Sequence, residues 1–550
     1  MSTSKWTSRI NLLPVDLWLS SGDWEGRTIA WWLDALCARA PETILFVDDG
    51  ETLTAEGVRD AALRLCAGFE KLGLVPGDVV SFQLPNWHEV AFIDLACAYG
   101  GFVCNPIVPI YREAEVTHII EDAGSALFLV PHRFRKYDYV AMAKRIGETL
   151  DHRFRTIIVR PEGAIDETGF GDLLGVEAAP VKRSPVDANS IKLLMYTSGT
   201  TGRAKGVLHS HNTIAAEIRN FITYLKLDGS DVILMPSPLS HITGYLYGIQ
   251  LPVSLGAKAV LMDSWQVAVA ADLIDEHDIS FTIGATPFLQ ELADYAMVND
   301  RRMPSMRYFA SGGAPVPPEI VARANAALEN CAAFRVYGST EAPTVTLGVP
   351  DRARARLAAT TEGFVVGHDI RLVDFDGTEV QRGEEGEIVT RGPEVCLGYT
   401  LAEHNEAAFD ADGYFHTGDL AMINDEGCLV ITGRRKDLII RGGENLSPKE
   451  IEDEIYKLPA VREAAVVAMP HARLGETGCA FVVLHDGKTL SLGELVDSLD
   501  RGGLARQKFP ERLEIVSKLP YTAAGKVRKD MLRKTASDFA PAGRAVYENG

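Results

Sequence analysis

Hydrophobic residues in the first part of the chain repeat with two alternating periods. From Thr54 to Leu72 apolar side chains recur at the 3.6-residue spacing of an amphipathic helix with Gly73 as its C-cap, and a strand from Val79 to Leu84 is predicted after a Pro-Gly-Asp turn. A helical pattern from Glu113 to Ala123 leads to a strand from Ala126 to Val130, and a further strand covers Phe154 to Val159 after another helix. Strands separated by helices of this length indicate βαβ units, so we expect an α/β fold with a largely parallel sheet.

The pattern changes after the charged segment Gly433-Arg434-Arg435-Lys436-Asp437. Beyond it, short strands alternate with two or three amphipathic helices, which is enough for a small α+β domain. We therefore predict a large N-terminal domain over residues 1–435 and a small C-terminal domain over residues 436–550.

Composition and charge argue against several classes of protein. The 550 residues are 46% hydrophobic and 24% charged, which is typical of a folded globular chain. A formal net charge of -20 repels phosphate backbones, so the sequence argues against nucleic-acid binding and against docking on anionic membranes. An acidic protein can still bind ATP where backbone N–H groups, a lysine and a metal ion reverse the local field.

The sequence shows neither a membrane span nor a secretion signal. The most apolar long stretch, Ala91 to Ile110, contains Asp94, Asn105 and two prolines, and it predicts a buried helix followed by a strand. The first residues lack a long apolar core followed by a small-residue cleavage site. Eight cysteines without a C-x-x-C pair indicate buried, reduced thiols. We predict a cytoplasmic protein whose oligomeric state the sequence leaves open, with a homodimer among the alternatives.

A glycine- and hydroxyl-rich loop follows the strand predicted from Ile191 to Tyr196. It reads Thr197-Ser198-Gly199-Thr200-Thr201-Gly202-Arg203-Ala204-Lys205-Gly206. Glycines let the backbone approach a ligand closely, hydroxyls donate hydrogen bonds and Lys205 adds positive charge, which together suit a polyphosphate. The spacing differs from that of a Walker motif, because Ala204 and not glycine stands five residues after Gly199.

The order of these ten residues resembles the signature of the adenylate-forming superfamily. That family contains acyl-CoA synthetases, aryl-CoA ligases, luciferases and the adenylation domains of peptide synthetases. Further segments similar to its motifs follow in order along nearly the whole chain: Pro238 to Gly244, Ser311 to Pro315, Tyr337 to Glu341, Gly386 to Gly392, Tyr414 to Asp419, Gly433 to Asp437, Arg441 to Asn445, and Pro520 to Lys526.

The resemblance implies a fold, an activity and a set of small-molecule partners. The implied fold is a large N-terminal domain of βαβ-type sheets with helices, followed by a small, mobile α+β domain. The implied reaction joins a carboxylic acid and ATP into acyl-AMP and pyrophosphate, after which the thiol of coenzyme A yields acyl-CoA and AMP. ATP, Mg²⁺ and coenzyme A are thus the expected cofactors and co-substrates.

The resemblance also assigns residues to the nucleotide. Glu341 is expected to bind Mg²⁺, since a hard cation prefers carboxylate, phosphate and water oxygens. Asp419 and Arg434 are expected on the ribose, and Tyr337 on the adenine. The full set expected to bind ATP or AMP is Thr197, Ser198, Gly199, Thr200, Thr201, Gly202, Lys205, Gly312, Gly313, Ala314, Tyr337, Gly338, Ser339, Thr340, Asp419 and Arg434.

Four further positions match residues that serve the two half-reactions in the family. Lys526 matches the lysine that bridges acyl carboxylate and phosphate oxygens, so it is expected to be catalytic together with Glu341 and His241. Lys436 matches the hinge residue about which the small domain rotates. Gly442 and Gly443 are then expected to line the channel for the narrow pantetheine arm of coenzyme A.

The acid is predicted from the walls of the expected acyl pocket, which are mostly small or apolar. They are His241, Ile242, Tyr245, Gly284, Ala285, Thr286 and Gly313. This lining favours an uncharged medium-chain, alicyclic or aromatic acid, and it is most similar to that of cyclohexanecarboxylate-CoA and related ligases.

Other functions stay open on the sequence. The runner-up is a stand-alone acyl-AMP ligase that loads a carrier-protein thiol. A non-catalytic nucleotide-binding protein is a remote alternative, because such a protein should have lost Lys526, Glu341 or Asp419. A luciferase-like oxygenase is compatible with the fold, since fold does not fix function.

Overall fold

The computed structural model describes residue 6 and residues 15–163, 165–177, 185–197, 204–521 and 526–539. Three sheets and most helices belong to the chain before residue 435, and a fourth sheet follows it. Apolar side chains fill the space between these sheets and their helices in several buried clusters.

The first sheet is a seven-stranded α/β sheet whose strands are parallel apart from one edge strand. In spatial order its strands are Ala332–Arg335, Tyr308–Ser311, Phe281–Gly284, Val232–Met235, Lys258–Leu261, Ile44–Asp48 and the antiparallel Glu51–Thr54. In such sheets the carboxyl ends of the strands form the usual place for a ligand.

The second sheet has eight strands and mixes parallel and antiparallel pairs. In order they are Gly398–Tyr399, Lys205–Ser210, Ile191–Thr197, Val103–Pro106, Val79–Phe82, Ser125–Pro131, Arg155–Val159 and Thr168–Gly169. The expected phosphate loop therefore connects two neighbouring antiparallel strands of this sheet. A short hairpin, Arg133–Phe134 with Tyr137–Asp138, lies beside it.

Two antiparallel-rich sheets complete the molecule. The third contains Asp369–Val373, Gly386–Arg391, Phe415–Ile423 and Leu429–Arg434. The fourth contains Glu444–Leu446, Ile439–Arg441, Gly475–Leu484 and Val461–His471, with Arg512–Ile515 paired in parallel to Gly475–Leu484.

The helices cover the sheets and agree with the sequence periodicity. Those before residue 435 are Val15–Ser21, Ile29–Arg39, Ala55–Lys71, Glu89–Gly100, Glu113–Ala123, Tyr139–Thr149, Phe170–Leu174, His211–Leu225, Ile242–Tyr245, Leu251–Leu255, Val267–His277, Thr286–Asn299, Pro318–Ala327, Ala355–Thr360 and Ala402–Ala408. Those after it are Pro448–Ile455, Leu492–Arg501 and Lys529–Ser537. A π-helical turn, Leu246–Gln250, joins Ile242–Tyr245 to Leu251–Leu255, and 3₁₀ turns span Arg352–Arg354, Arg435–Asp437 and Arg506–Lys508.

Local sequence signals explain individual elements. The Thr54 side chain caps helix Ala55–Lys71 by accepting a hydrogen bond from the Gly57 N–H, as expected for a threonine at this position. The apolar stretch 91–110 forms the end of a buried helix and a buried strand, as predicted. The eight cysteines are free thiols; Cys37 is half-buried and the others are buried, as expected.

Within the described ranges, every helix falls short of the length or the apolar content that crossing a bilayer requires.

Candidate active site

The expected phosphate loop connects strands Ile191–Thr197 and Lys205–Ser210, which form an antiparallel hairpin in the second sheet. Thr197 pairs with Lys205 across its two strands. The Lys205 ammonium lies 5.4 Å from the centre of the Tyr399 ring. The predicted phosphate ligands Ser198, Gly199, Thr200, Thr201 and Gly202 lie outside the described residues.

Glu341 lies at the end of this hairpin and is held by its side chain and by its backbone. The Tyr399 hydroxyl donates to Glu341 Oε1 at 2.8 Å, and the Cys396 N–H donates to the Glu341 carbonyl at 2.8 Å. Burial and the Glu341 charge raise the pKa of Tyr399, so this hydroxyl stays protonated and keeps donating. The carboxylate is therefore fixed in place before any ligand arrives, which suits the binding of a hard divalent cation.

Asp419 is buried and accepts hydrogen bonds from two other expected nucleotide ligands. The Tyr337 hydroxyl donates to Asp419 Oδ2 at 2.8 Å, and Arg434 Nε lies 2.7 Å from Asp419 Oδ1. Burial and the Asp419 charge raise the pKa of Tyr337. The structure thus brings together the residues expected on adenine and ribose.

The expected adenine-side segment leaves the carboxyl end of strand Tyr308–Ser311. At Gly312 an added Cβ would lie 2.5 Å from the Val336 carbonyl oxygen, so this position has no room for a side chain. Gly313 has φ +77 and open space around its Cα, so its backbone conformation and not crowding favours glycine. Gly338 is crowded in the same way as Gly312, because an added Cβ would lie 2.3 Å from the Thr344 nitrogen. Ala314, Ser339 and Thr340 lie in the loops that carry these glycines.

Lys526, from the C-terminal part of the chain, lies near the residues expected to bind the nucleotide. Burial lowers its pKa to about 8, and the neighbouring Arg434 cation acts in the same direction. The carboxylates of Asp419 and Glu341 oppose that shift. The charges that act on the ammonium thus come from four residues of the earlier strands and loops and of the turn after residue 434: Glu341, Asp419, Arg434 and Lys436.

His241 faces Lys526 from the first sheet. It caps the short helix Ile242–Tyr245, where its Nδ1 accepts from the Thr243 N–H at 3.5 Å. Burial and, to a smaller extent, the Lys526 charge lower the pKa of His241 to about 4. The imidazole is thus neutral at physiological pH.

The expected acyl-pocket residues lie on two adjacent segments. Ile242 is buried beside His241, and Ala285 precedes helix Thr286–Asn299. The Thr286 hydroxyl donates to the Pro315 carbonyl at 3.0 Å, which ties this wall to the adenine-side loop. Gly284 is covered by the Phe288 ring, 2.7 Å from where a Cβ would stand.

Tyr245 differs from the other expected pocket residues. It is fully buried, and its hydroxyl donates to Asp94 Oδ1 at 2.5 Å. Lys192 and Gln250 bind the same carboxylate at 2.9 and 2.8 Å. The hydroxyl of Tyr245 therefore serves a buried polar network of the core and is not directed at a substrate.

The segment expected to act as a hinge is anchored on both sides. Arg435 Nη1 lies 2.8 Å from Glu387 Oε2 in the third sheet. From the last helix, Arg533 donates to the Lys436 carbonyl at 2.8 Å and to Asp437 Oδ1 at 2.7 Å. Lys436 stands between these two anchors.

Gly442 and Gly443 form the turn between strands Ile439–Arg441 and Glu444–Leu446. Their φ angles are +61 and +91, and both residues are exposed. The turn lies on the fourth sheet, which also contacts the last helix.

Sequence reasoning missed several residues that hold this site. Tyr399, which binds Glu341, stands in the segment Glu394-Val395-Cys396-Leu397-Gly398-Tyr399, beyond the motif recognised at residues 386–392. A buried tyrosine in an apolar run looks like ordinary core packing, so only its pairing with a carboxylate distant in sequence reveals its role.

Two family models of known proteins match most of this chain. The family model described as AMP-binding enzyme matches residues 33–400, and the model of the AMP-binding enzyme C-terminal domain matches residues 450–526. Medium-chain fatty-acid–CoA ligase of Escherichia coli (strain K12) is 32% identical over 517 residues, which is 93% of this chain and 91% of that protein.

Two other relatives act on different acids. The 3-[(3aS,4S,7aS)-7a-methyl-1,5-dioxo-octahydro-1H-inden-4-yl]propanoyl:CoA ligase of Mycobacterium tuberculosis (strain ATCC 25618 / H37Rv) is 33% identical over 92% of this chain and 99% of that protein. The vibriobactin-specific 2,3-dihydroxybenzoate-AMP ligase of Vibrio cholerae (serotype O1, strain ATCC 39315 / El Tor Inaba N16961) is 30% identical over 93% of this chain and 94% of that protein.

Solved structures share the whole fold. ATP-bound MatB from Rhodopseudomonas palustris is 28% identical, covers 92% of this chain and 99% of its own, and superposes with a TM-score of 0.82. Apo MatB, with the same identity and coverage, superposes with a TM-score of 0.72. The arrangement of this chain is therefore more similar to the ATP-bound form, and the predicted fold is confirmed.

Proposed function

Because this chain belongs to the AMP-binding enzyme family, we propose that it is an ATP-dependent acyl-CoA ligase that forms an acyl-AMP intermediate. The observation that carries the proposal is the position of Lys526. It lies among Glu341, Asp419 and Arg434 and acts on His241, so a cation from the C-terminal part meets the expected nucleotide site of the N-terminal part.

This arrangement suits attack of a carboxylate on the α-phosphate of ATP. Both reactants are anions, so the reaction needs fixed positive charge and in-line positioning. Lys526 and Arg434 supply that positive charge. His241 beside them is neutral and places no further charge next to the anionic carboxylate. Asp419, oriented by Tyr337, is placed to accept hydrogen bonds from a ribose diol.

Glu341 fits a magnesium ligand. Its carboxylate is fixed by Tyr399 and stands beside the hairpin of the expected phosphate loop. Mg²⁺ commonly takes one or two protein carboxylates and completes its shell with phosphate oxygens and water. When bound, the ion neutralises charge on the phosphates and on the departing pyrophosphate.

The rest of the nucleotide and acyl assignments form part of this proposal. We place the triphosphate at Thr197 to Lys205, and the adenine at Gly312, Gly313 and Tyr337. The acid lies against His241, Ile242 and Ala285. The domain division at residues 435 and 436, the hinge at Lys436 and the coenzyme A channel at Gly442 and Gly443 complete it.

For the acid, we propose an uncharged medium-chain, alicyclic or aromatic carboxylic acid, with cyclohexanecarboxylate as one example. Support comes from the apolar walls at Ile242, Gly284 and Phe288 and from relatives named for a medium-chain fatty acid and a bicyclic propanoate. Relatives named as aryl-AMP ligases support the second candidate, an acyl-AMP ligase that loads a carrier-protein thiol.

The test is a pyrophosphate-release screen over linear, alicyclic and aromatic acids, with and without coenzyme A. We expect acid-dependent pyrophosphate and, with coenzyme A, a stoichiometric thioester. Acid-dependent pyrophosphate without any coenzyme A thioester would favour the carrier-loading enzyme. ATP binding without pyrophosphate from any acid would contradict both.

A further inference from the structure

A buried polar cluster lies behind the loop that carries Glu341. It consists of Glu217 on helix His211–Leu225, His368 before strand Asp369–Val373, and Glu394. Glu217 is 2% exposed and Glu394 is 1% exposed. One nitrogen or oxygen atom from each of the three residues lies within 4.8 Å of the others. None of the three contributes to the site proposed above.

The cluster binds one end of the Glu341 loop, which we define as residues 337–344. The Thr344 hydroxyl hydrogen-bonds Glu217 Oε1, and it lies 2.5 Å from the Tyr247 hydroxyl, which itself donates to Glu217 at 2.5 Å. His368 Nε2 lies 3.3 Å from the Pro343 carbonyl, to which it donates in the neutral tautomer protonated at that nitrogen. Three side chains thus converge on the two residues that end the loop.

The backbone at this end of the loop is strained. Thr344 has φ +28, a value that a β-branched residue rarely adopts. Strained backbone persists where its surroundings over-determine it, and here the hydroxyl of the same residue is bound to Glu217. The side-chain contacts therefore hold a conformation that the chain would otherwise leave.

The cluster also touches the segment that binds Glu341 directly. Glu394 begins the segment 394–399, of which the Cys396 N–H donates to the Glu341 carbonyl and the Tyr399 hydroxyl to its carboxylate. Glu394 accepts a hydrogen bond from the Asn220 amide, and its other oxygen lies 2.9 Å from His368 Nε2. Glu341 is thereby held between two segments that meet at the cluster.

The burial of the Glu217 and Glu394 carboxyls favours a state in which the two hold one proton between them. An oxygen of Glu217 lies within 4.8 Å of an oxygen of Glu394, and two adjacent buried carboxyls cannot both be ionised at low cost. Burial raises the pKa of Glu394 to about 7 and that of Glu217 well above its usual range, and it lowers the pKa of His368 to about 4.

Other charges lie farther out. Arg219, which pairs with Asp23, acts on Glu394 from the same helix as Glu217, and Asp23 opposes it. Among the described residues, no lysine or arginine forms an ion pair with Glu217 or Glu394. A proton retained on one of the two carboxyls therefore removes one buried charge that no basic side chain offsets.

We propose that the Glu217–His368–Glu394 cluster is a positioning element for the Glu341 carboxylate, and that it thereby sets how tightly the enzyme uses Mg²⁺ during adenylation. The inference rests on the proposed function, in which Glu341 binds the ion. Partners one step removed from a metal ligand commonly change metal affinity by about 10–100-fold when they are lost.

The test compares Glu217→Ala with Glu217→Gln and Thr344→Val. Half-saturation by Mg²⁺ is measured in acid-dependent pyrophosphate release at saturating ATP, beside thioester formation from supplied acyl-AMP. Glu217→Ala should raise the Mg²⁺ half-saturation by roughly 10-fold or more, with thioester formation near wild type. Glu217→Gln keeps an acceptor for Thr344 and Tyr247 and is neutral like a protonated carboxyl, so it should restore most of the affinity.

Tyr224→Phe is the matched control. Tyr224 lies on the same helix, and its hydroxyl donates to the Gly348 carbonyl at 2.8 Å, away from the Glu341 loop. This variant should lose some stability and keep its Mg²⁺ dependence. If Glu217→Ala does not fold, Thr344→Val replaces it in the test, because this substitution removes only the hydroxyl that binds Glu217. The Mg²⁺ half-saturation should rise in this variant as well.

Two results would overturn the inference. One is folded Glu217→Ala or Thr344→Val protein with a Mg²⁺ half-saturation equal to that of wild type, which would reduce the cluster to core packing. The other is a stoichiometric transition metal in the purified protein that disappears in Glu394→Gln, because the three side chains would then be metal ligands and not a proton-sharing group. A wild-type protein that releases no pyrophosphate with any acid would instead defeat the proposed function, so the two failures are distinguishable.

Discussion

Arg434 and Asp419 face each other on neighbouring antiparallel strands, and Arg434 Nε lies 2.7 Å from Asp419 Oδ1. The Tyr337 hydroxyl binds the other oxygen of the same carboxylate. Each carboxylate oxygen keeps a second lone pair, so the aspartate can still accept hydrogen bonds from a ligand while two neighbours fix its orientation.

Removing one of these two contacts should weaken ATP binding. In Tyr337→Phe the ring remains and the hydroxyl that orients Asp419 is lost, so we expect KM for ATP to rise by roughly 10-fold, the scale of a hydrogen bond to a charged group. Tyr414→Phe is the matched control, because Tyr414 donates to Asp369 at 2.5 Å on the same sheet but outside the site. Steady-state kinetics that show equal KM values for both variants would argue against an ATP role for Asp419.

Lys526→Ala should separate the two half-reactions. The variant should lose at least ~3–4 kcal/mol of transition-state stabilisation in adenylation, by analogy with the loss of an oxyanion donor. The rate of pyrophosphate release from ATP and acid should therefore fall about 10²–10³-fold. Conversion of supplied acyl-AMP to the thioester should persist. The measurement is single-turnover kinetics of each step, and equal loss in both steps of a folded variant would contradict the assignment.

Adenylation should decline at alkaline pH. Burial lowers the pKa of Lys526 to about 8 in the free enzyme, so the ammonium is present below that pH and is lost as pH rises through it. The kcat/KM for ATP should therefore fall above about pH 8, since this parameter reports the free enzyme.

Two variants check the origin of that decline. Lys526→Arg should remove it, because arginine stays protonated throughout. Lys529→Arg alters a lysine that binds Glu452 at 2.6 Å and should leave the profile unchanged. The same decline in both variants would assign it to another group.

The two glycines of the adenine-side segment should respond differently to alanine. Gly312→Ala would drive a Cβ to 2.5 Å from the Val336 carbonyl, so it should destabilise the protein and suppress ATP binding. Gly313→Ala meets no neighbour and carries only the strain of φ +77, on the order of 1 kcal/mol. Thermal unfolding and ATP titration of both variants provide the comparison, and equal effects would show that crowding is not what selects Gly312.

The sequence predicted this fold well where the periodicity is strong. Helix Glu113–Ala123 has the predicted limits, and strand Ile191–Thr197 differs from the prediction by one residue. Strand ends were less accurate, as at Val79–Phe82, where two residues of the predicted strand continue without strand geometry. Gln83 and Leu84 are buried like the strand before them, and burial alone does not define a strand.

Ordered motifs predicted the residues proposed to carry the chemistry, but not what holds them in place. Tyr399 and Glu217 contact the Glu341 loop from segments distant in sequence. Neither stands in a motif, and a glutamate within an amphipathic helix is normally exposed. Their role depends on which segments meet in the folded chain, and the spacing of residues does not contain that information.

The anchors on either side of Lys436 have a mechanical consequence. Arg435 is tied to Glu387, and the peptide after Lys436 is tied to Arg533 on the last helix. If Lys436 is the hinge, as proposed, a rotation that keeps both contacts is confined to the backbone angles of one residue. Such a rotation would have few degrees of freedom, so it would allow the C-terminal part a narrow range of orientations and would return Lys526 to one position.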